Sequence, residues 1–488
     1  MARPIRVAVV GAGFGGLAAA LALAERGAEV VLFERLRYAG GCAATFTHRG
    51  RRFEAGATLF AGLGRTGLFT RWLARHGFEL PVEFPDPVLE MCTPAWHIAV
   101  PASRAALVER FCALPGAPRE GIQSFFEEQG RIASALWKIL EDPNSIPATT
   151  AELLPQIKRA PSLLPLARWI GRPLTAVLAR HGLAGFEPMR SYVNAVSQIT
   201  VQCSAAEAEA PFALATLDYF HREAGHVVGG IGVLADTLVQ AIRRCGGSVS
   251  FTNAVRAIRR RDARWVVEAR RGAQEFDGIV ADLLPQSIAQ MLGDGVGAKR
   301  LAALSRDVER GFGAAMLYRS LPASSTPQGS SHFELIADPT KPFVEGNHIF
   351  GSLSAGENGA GERSVTVSTH VDLSVLRSLD EQQRGARVAE IQARMRATLD
   401  ALGPEWVRHP ELEVTASPRT FERFTGRWQG FVGGIPRRAG LRAYRGWLPA
   451  PIDPGLYLVG DSVFPGQSTL AVALGGIRVA RRILNDLL

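Results

Sequence analysis

The spacing of apolar residues changes along this chain, and each change marks an element. Ile5, Val7, Val9 and Val10 form a short strand-like run leading into Gly11-Ala12-Gly13-Phe14-Gly15-Gly16, after which a helix is predicted through Arg26. Ala28 to Phe33 predicts a second buried strand, ending in Glu34. Near the other end, Leu456 to Val459 predicts a strand that stops at Gly460-Asp461, and Leu470 to Leu487 a helix rich in small residues. Between them, Met316-Leu317, Ile349 to Leu353 and Val365 to Val371 read as strands. Glu381 to Leu402 reads as a helix with Val388, Ile391, Met395 and Leu399 on one side.

The first of these boundaries carries chemistry. In a strand, tight turn and helix start, Gly11 permits the turn, Gly13 lets the backbone approach a pyrophosphate, and Gly16 allows the helix to pack closely on the strand. The helix start aims free N–H groups at phosphate charge. Glu34 follows at about the spacing at which a carboxylate meets an adenosine ribose. Gly62-Leu63-Gly64-Arg65-Thr66-Gly67 repeats the glycine spacing without the long preceding strand or the acidic residue, and is expected to be a flexible loop. Arg3 and Arg6 before an apolar stretch raise the alternative of a secretory signal, which needs neither the fixed glycines nor Glu34.

Gly40-Gly41, beyond Arg35 and Arg37, offers close backbone access to a ligand, and the arginines can neutralise a diphosphate; an ordinary surface turn is the alternative. At the far end, Asp461 is placed to bond a ribityl hydroxyl. The start of the last helix would stabilise negative charge on a flavin ring. The two ends together point to FAD and to redox chemistry.

These segments resemble the flavin-dependent carotenoid desaturases and isomerases, which share a fold with amine oxidases and retinol saturase. The resemblance lies in Val9 to Leu17, Gly40 to Phe46, Ser417 to Arg427, Gly430 to Pro436 and Val459 to Gln467; it covers both ends well and the middle poorly. It implies an α/β fold: a discontinuous Rossmann-type, glutathione-reductase-like FAD-binding domain from 1–75, 225–300 and 440–488. A mixed α+β substrate-binding domain would come from 76–224 and 301–439. It further implies that Gly229 to Arg243 and a strand near Val249 to Val255 close over the adenine, with a backbone contact at Val255, and that Asp277 to Asp282 returns to the cofactor domain. The FAD contacts expected from motif and resemblance together are Gly11, Ala12, Gly13, Phe14, Gly15, Gly16, Glu34, Arg35, Gly41, Cys42, Ala43, Val255, Gly460 and Asp461. Cys42 departs from the family, where a basic residue is common; a covalent flavin there is conceivable, but a small buried thiol is the usual reading.

Composition adds a few limits. A chain of 488 residues with 47% hydrophobic and 21% charged residues is an ordinary globular enzyme of two or three domains. The net charge of +9 comes from a basic set with only four lysines, a bias that a GC-rich genome produces without function. A basic surface favours anionic membranes or nucleic acid, and no nucleic-acid motif accompanies it. Leu153 to His181 mixes apolar residues with Lys158, Arg159, Arg168, Arg172 and Arg180, broken by prolines. It suits either peripheral membrane contact or the cap of a substrate domain. No stretch is apolar and long enough to span a bilayer. Five scattered cysteines predict neither metal site nor disulfide framework, and a cytoplasmic location.

His221 and His226 are too far apart on a helix to share a metal, at roughly 140°, and no hydrolase elbow or phosphate-loop lysine occurs. The resemblance implies desaturation of a carotenoid by hydride transfer to FAD, with no catalytic side chain identifiable and a long apolar polyene as partner. The alternatives are cis–trans isomerisation on reduced FAD, amine oxidation, and a flavin-less prenyl-chain escort protein.

Overall fold

Apolar runs from both ends and the middle of the chain assemble into one parallel sheet, ordered Leu456–Leu458, Gly278–Ala281, Arg6–Val10, Glu29–Phe33 and Ser248–Ser250. The computed structural model describes all residues except 1–2, 57, 142–146, 148–151, 153–165, 294, 323–328 and 355–362, with 140 and 141 described by their backbone. Val10 lies beside Ala281 on one side and Phe33 on the other. The strands are apolar at successive positions because both faces are covered. Val7, Val9, Val30, Leu32 and Tyr457 face the helices Phe14–Ala24, Ile231–Arg244 and Thr469–Leu487. Ala8, Val10, Val31, Phe33 and Leu458 face an antiparallel sheet formed by Val255–Arg261, Arg264–Ala269 and Gly272–Phe276.

The helix Phe14–Ala24 is buried along its whole length. One of its sides lies against the last helix, and small residues allow the approach: a Cβ on Gly476 would stand 2.3 Å from the Gly15 carbonyl oxygen and 2.8 Å from the Ala19 nitrogen. The first and last helices therefore touch through their backbones.

The strand expected near Val249 to Val255 is two strands. Ser248–Ser250 extends the parallel sheet, whereas Val255 begins the three-stranded one. The step between them is a turn with Thr252 at φ 51, held by Asn253, whose Oδ1 accepts from the Arg271 N–H at 2.9 Å and whose Nδ2 donates to Ser250 Oγ at 3.1 Å. A tertiary bond to the turn of the neighbouring hairpin, between Arg264–Ala269 and Gly272–Phe276, divides a run that looks continuous in sequence.

A second, seven-stranded sheet runs Leu412–Ala416, Phe312–Leu321, Arg363–Asp372, His348–Leu353, His332–Ile336, Leu89–Cys92 and His97–Val100. It is mixed, because His332–Ile336 pairs parallel to Leu89–Cys92. The helix Glu381–Leu402, started by a capping box at Asp380 and Gln383, covers it with Ile391, Met395 and Leu399. A helical layer that includes Arg119–Glu141 and Glu187–Thr200 packs around its own core.

Of the cationic segment 153–181, residues 153–165 lie outside the described residues. In the remainder, Leu166, Trp169, Leu174 and Leu178 are buried, Trp169 Nε1 donates to the buried Glu128 at 2.6 Å, and Ile170 is exposed. These apolar side chains serve the core rather than a surface. Among the described residues no helix is long and apolar enough to cross a membrane. The glycine repeat at Gly62 to Gly67 is a packed loop, not a loose one: Phe69 N–H donates to the Gly62 carbonyl at 3.0 Å, and a Cβ on Gly67 would meet that oxygen at 2.3 Å.

The contact at Gly476 gives a direct test. Gly476→Val is expected to destabilise the chain by about 2 kcal/mol or more through overpacking. Gly385→Ala, on the open side of its helix with nothing near its Cβ position, is expected to stabilise by up to about 1 kcal/mol. Urea unfolding of both variants measures the difference.

Candidate cofactor and substrate site

Where the parallel strands end, the glycine turn, the strand ending in Glu34, the Gly40-Gly41 loop and Gly460-Asp461 converge on one continuous cavity of about 630 Å³. Every expected contact residue lines it except Gly16. Gly16 acts from beneath, where a Cβ would stand 2.1 Å from the Gly11 carbonyl oxygen, so that the helix starts against the turn. Gly11, at φ 100, donates to the Phe33 carbonyl at 2.8 Å and so anchors the turn to the second strand.

Gly13 has a different reason from the one its position suggests. A Cβ there would stand 2.4 Å from Asp282 Oδ2, and one on Gly460 2.6 Å from Asp282 Oδ1. The glycines therefore make room first for a carboxylate of the protein itself. Asp282, at the end of the strand Gly278–Ala281, accepts the Gly16 N–H at 3.0 Å. Burial pushes its carboxyl up to about 6, against the Gly16 hydrogen bond, with Asp461 adding to the rise. Sequence reasoning missed this residue as part of the site. Its only signal was its place at the end of a strand expected to return to the cofactor domain.

Glu34 ties the turn to the strand behind it: Oε2 accepts the Ala12 N–H at 2.8 Å and Oε1 the Leu36 N–H at 2.7 Å. Burial raises its carboxyl above the usual range, opposed by those two bonds and by Arg35. Asp461 holds both oxygens 2.8 Å from one nitrogen of Arg427, whose Nε donates to the Phe431 carbonyl at 2.6 Å. Arg427 follows Gly426, the left-handed cap that ends the helix Pro418–Thr425. It places a buried positive charge on Asp461 and within reach of Asp282, and it too escaped the residues expected from sequence. Cys42 lines the cavity near Thr425, and burial raises its thiol, which keeps it protonated and unsuited to attack on a ring. Val255 closes the cleft at the start of its strand, with Ala254 beside it.

Beyond Cys42 the cavity opens into a chamber walled by Leu59, Phe60, Trp137, Phe212, Phe220 and Leu470. The residues fit an FAD. In the helix after Gly13 the Gly16 amide is taken by Asp282, which leaves the Phe14 and Gly15 amides for an anion, and Glu34 lines the cleft beside them. The last helix, started by Ser468 Oγ on the Ala471 N–H at 3.1 Å, points its first turn into the chamber. Among the described residues no cluster of histidine, cysteine, aspartate or glutamate is arranged to hold a metal.

Comparison with known proteins agrees with this geometry. Residues 9–75 match the NAD(P)-binding Rossmann-like domain. The chain is 26% identical to prolycopene isomerase, chloroplastic, of Daucus carota, over 98% of this chain and 80% of that one. It is 23% identical to 4,4'-diapophytoene desaturase (4,4'-diapolycopene-forming) of Methylomonas sp, over 53% and 49%. Cyclohexylamine oxidase from Brevibacterium oxydans has a similar fold at 14% identity, with a TM-score of 0.62 over 99% of each chain. The fold is that of the flavin amine oxidases. Within it, the chain is a homologue of the carotenoid isomerases and desaturases, a family of FAD-dependent flavoenzymes.

Asp282 supplies a pH test. Its folded carboxyl sits near 6 against an ordinary 3.8, so the folded state holds more protons than the unfolded one between those values, and stability falls as pH rises from about 4 to about 6. Asp282→Asn is expected to flatten this dependence and to unfold at higher urea above pH 7, by on the order of 1–2 kcal/mol. Urea unfolding of both proteins from pH 4 to 8 measures it.

Proposed function

We propose that this chain binds FAD in the cleft and a long conjugated polyene in the chamber, and that it introduces a carbon–carbon double bond into a carotenoid. The observation that carries this reading is the continuity of the cavity. One space runs from the glycine turn past Gly41-Cys42-Ala43 into an apolar chamber, so a polyene there lies against whatever the cleft holds. In this reading Gly11, Ala12, Gly13, Phe14, Gly15 and Gly16 form the pyrophosphate turn, and Glu34 and Arg35 meet the adenosine half. Val255 borders the adenine. Gly41, Cys42, Ala43, Gly460 and Asp461 hold the flavin half. The cofactor domain would comprise 1–75, 225–300 and 440–488, and the substrate domain the rest.

FAD, when bound, supplies a two-electron acceptor for a C–H bond. The protein's own residues align the polyene, exclude water and take up the proton that desaturation releases. His348 lines the chamber, and its Nε2 lies 3.1 Å from Oε2 of Glu334, which is wholly buried. We assign this pair as the proton acceptor, and its presence favours desaturation.

Cis–trans isomerisation is the second reading, favoured by the whole-length similarity to prolycopene isomerase. It involves no net loss of hydrogen.

Mass spectrometry of the carotenoid recovered after incubation with FAD-loaded protein separates the two. Loss of two hydrogens with a red-shifted polyene spectrum is expected; an unchanged mass with altered retention establishes isomerisation instead. His348→Phe is expected to lower kcat at least about a hundredfold while FAD remains bound, measured by the same product assay.

A further inference from the structure

Arg437 stands on the wall of the chamber and has no part in the chemistry proposed above. Its Nη1 donates to the Ala443 carbonyl at 2.9 Å and its Nη2 to the Pro465 carbonyl at 2.8 Å. The guanidinium carbon lies 5.6 Å from the ring centres of both Phe212 and Phe464, which also line the chamber. Gly466 makes room for the group, since a Cβ there would stand 2.7 Å from Nη2. The guanidinium is therefore fixed on an apolar wall, beside the loop that leads into the last helix.

Everything that fixes it is uncharged. Two carbonyls and two rings supply partial charges, and no carboxylate among the described residues forms an ion pair with it. Burial pushes the guanidinium down to about 10, with Asp307 opposing from beyond ion-pair reach, so the group stays protonated at neutral pH. A charge taken out of water without a counter-charge is costly to keep.

Other arginines of the interior are placed differently. Arg427 in the cleft already holds Asp461. Arg478, likewise held by carbonyls, is 1% exposed and its Nε is sealed. Arg437 keeps accessible surface on the cavity it lines, and its Nε, which donates to no protein group, is not sealed.

The chamber thus offers an immobilised positive charge with an N–H free along one edge. A hydrocarbon leaves that charge uncompensated, and a hydroxyl or ketone brings only a dipole. A carboxylate brings the missing charge and can accept from Nε and a remaining Nη hydrogen side by side. Resting on the polyene reading above, we propose that Arg437 binds a carboxylate carried by the substrate, so that the chamber takes a polyenoic acid with its chain along the apolar wall and its charged end at the guanidinium.

Titration of the FAD-loaded full chain at about pH 8 with a series of linear polyenoic acids of increasing length, each beside its methyl ester, in non-ionic micelles, tests this; quenching of Trp137, which lines the chamber, reports binding. The quantity read is the ratio of acid to ester affinity in the native chain against that in R437M, in which partition into the micelle cancels. For at least one acid this ratio is expected to fall about tenfold in R437M, while the ester binds as it does to the native chain. FAD retention reports that R437M folds, and R437Q serves in its place if it does not. A ratio unchanged in both variants for every acid would overturn the proposal while leaving the polyene reading intact. An unchanged ratio together with a lowered reduction potential of the bound FAD would overturn it too, and would assign the charge to the cofactor. Failure of every acid and ester to bind FAD-loaded protein would overturn both readings.

Discussion

The backbone contact between the first and last helices is the constraint on which the rest of the molecule depends. Gly476 sits against Gly15 and Ala19 with no space for a Cβ, and the same Gly15 abuts Gly460 and Asp282, so helix packing and cleft assembly are one event. Were the two helices separated by even a methyl group, the glycine turn and the Gly460-Asp461 loop would lose their alignment. The buried sheet beneath them transmits the same demand, since Val10 is fixed by neighbours on both sides.

Charge is arranged around that contact with little margin. Glu34, Asp282 and Asp461 bring three carboxylates to the end of one sheet, and each is held by a donor: backbone amides for Glu34, the Gly16 amide for Asp282, Arg427 for Asp461. A phosphate group entering the cleft adds negative charge to this set. Uncapped helix amides and the arginines at 35 and 427 are what oppose it.

Much of the cofactor cleft was legible in the sequence, because its parts are local. A strand, a glycine turn and a helix occupy a short span, and the contact of Gly16 with the Gly11 carbonyl lies within it. The second half, from Leu456 to the final helix, was legible on the same grounds. What escaped were consequences of long-range contact. Asp282 looks like the end of an ordinary strand until the fold sets its carboxylate under Gly13; Arg427 looks like a surface cation until it meets Asp461. The run Val249 to Val255 has no sequence mark at the point where Asn253 divides it. The chamber was less legible still, since Phe212 and Arg437 lie far apart in sequence and nothing in either neighbourhood announces the other.

The interleaved strand order has a consequence for how this protein acquires its shape. Arg6–Val10 must wait for Gly278–Ala281, and that strand in turn for Leu456–Leu458, before the sheet has its full width. A nascent chain emerging from the ribosome thus carries an unfinished nucleotide-binding half until Leu456–Leu458 is made, with apolar strand edges awaiting their partners. Closure of the sheet, and with it competence to hold a ligand, arrives only once Leu456–Leu458 has been made.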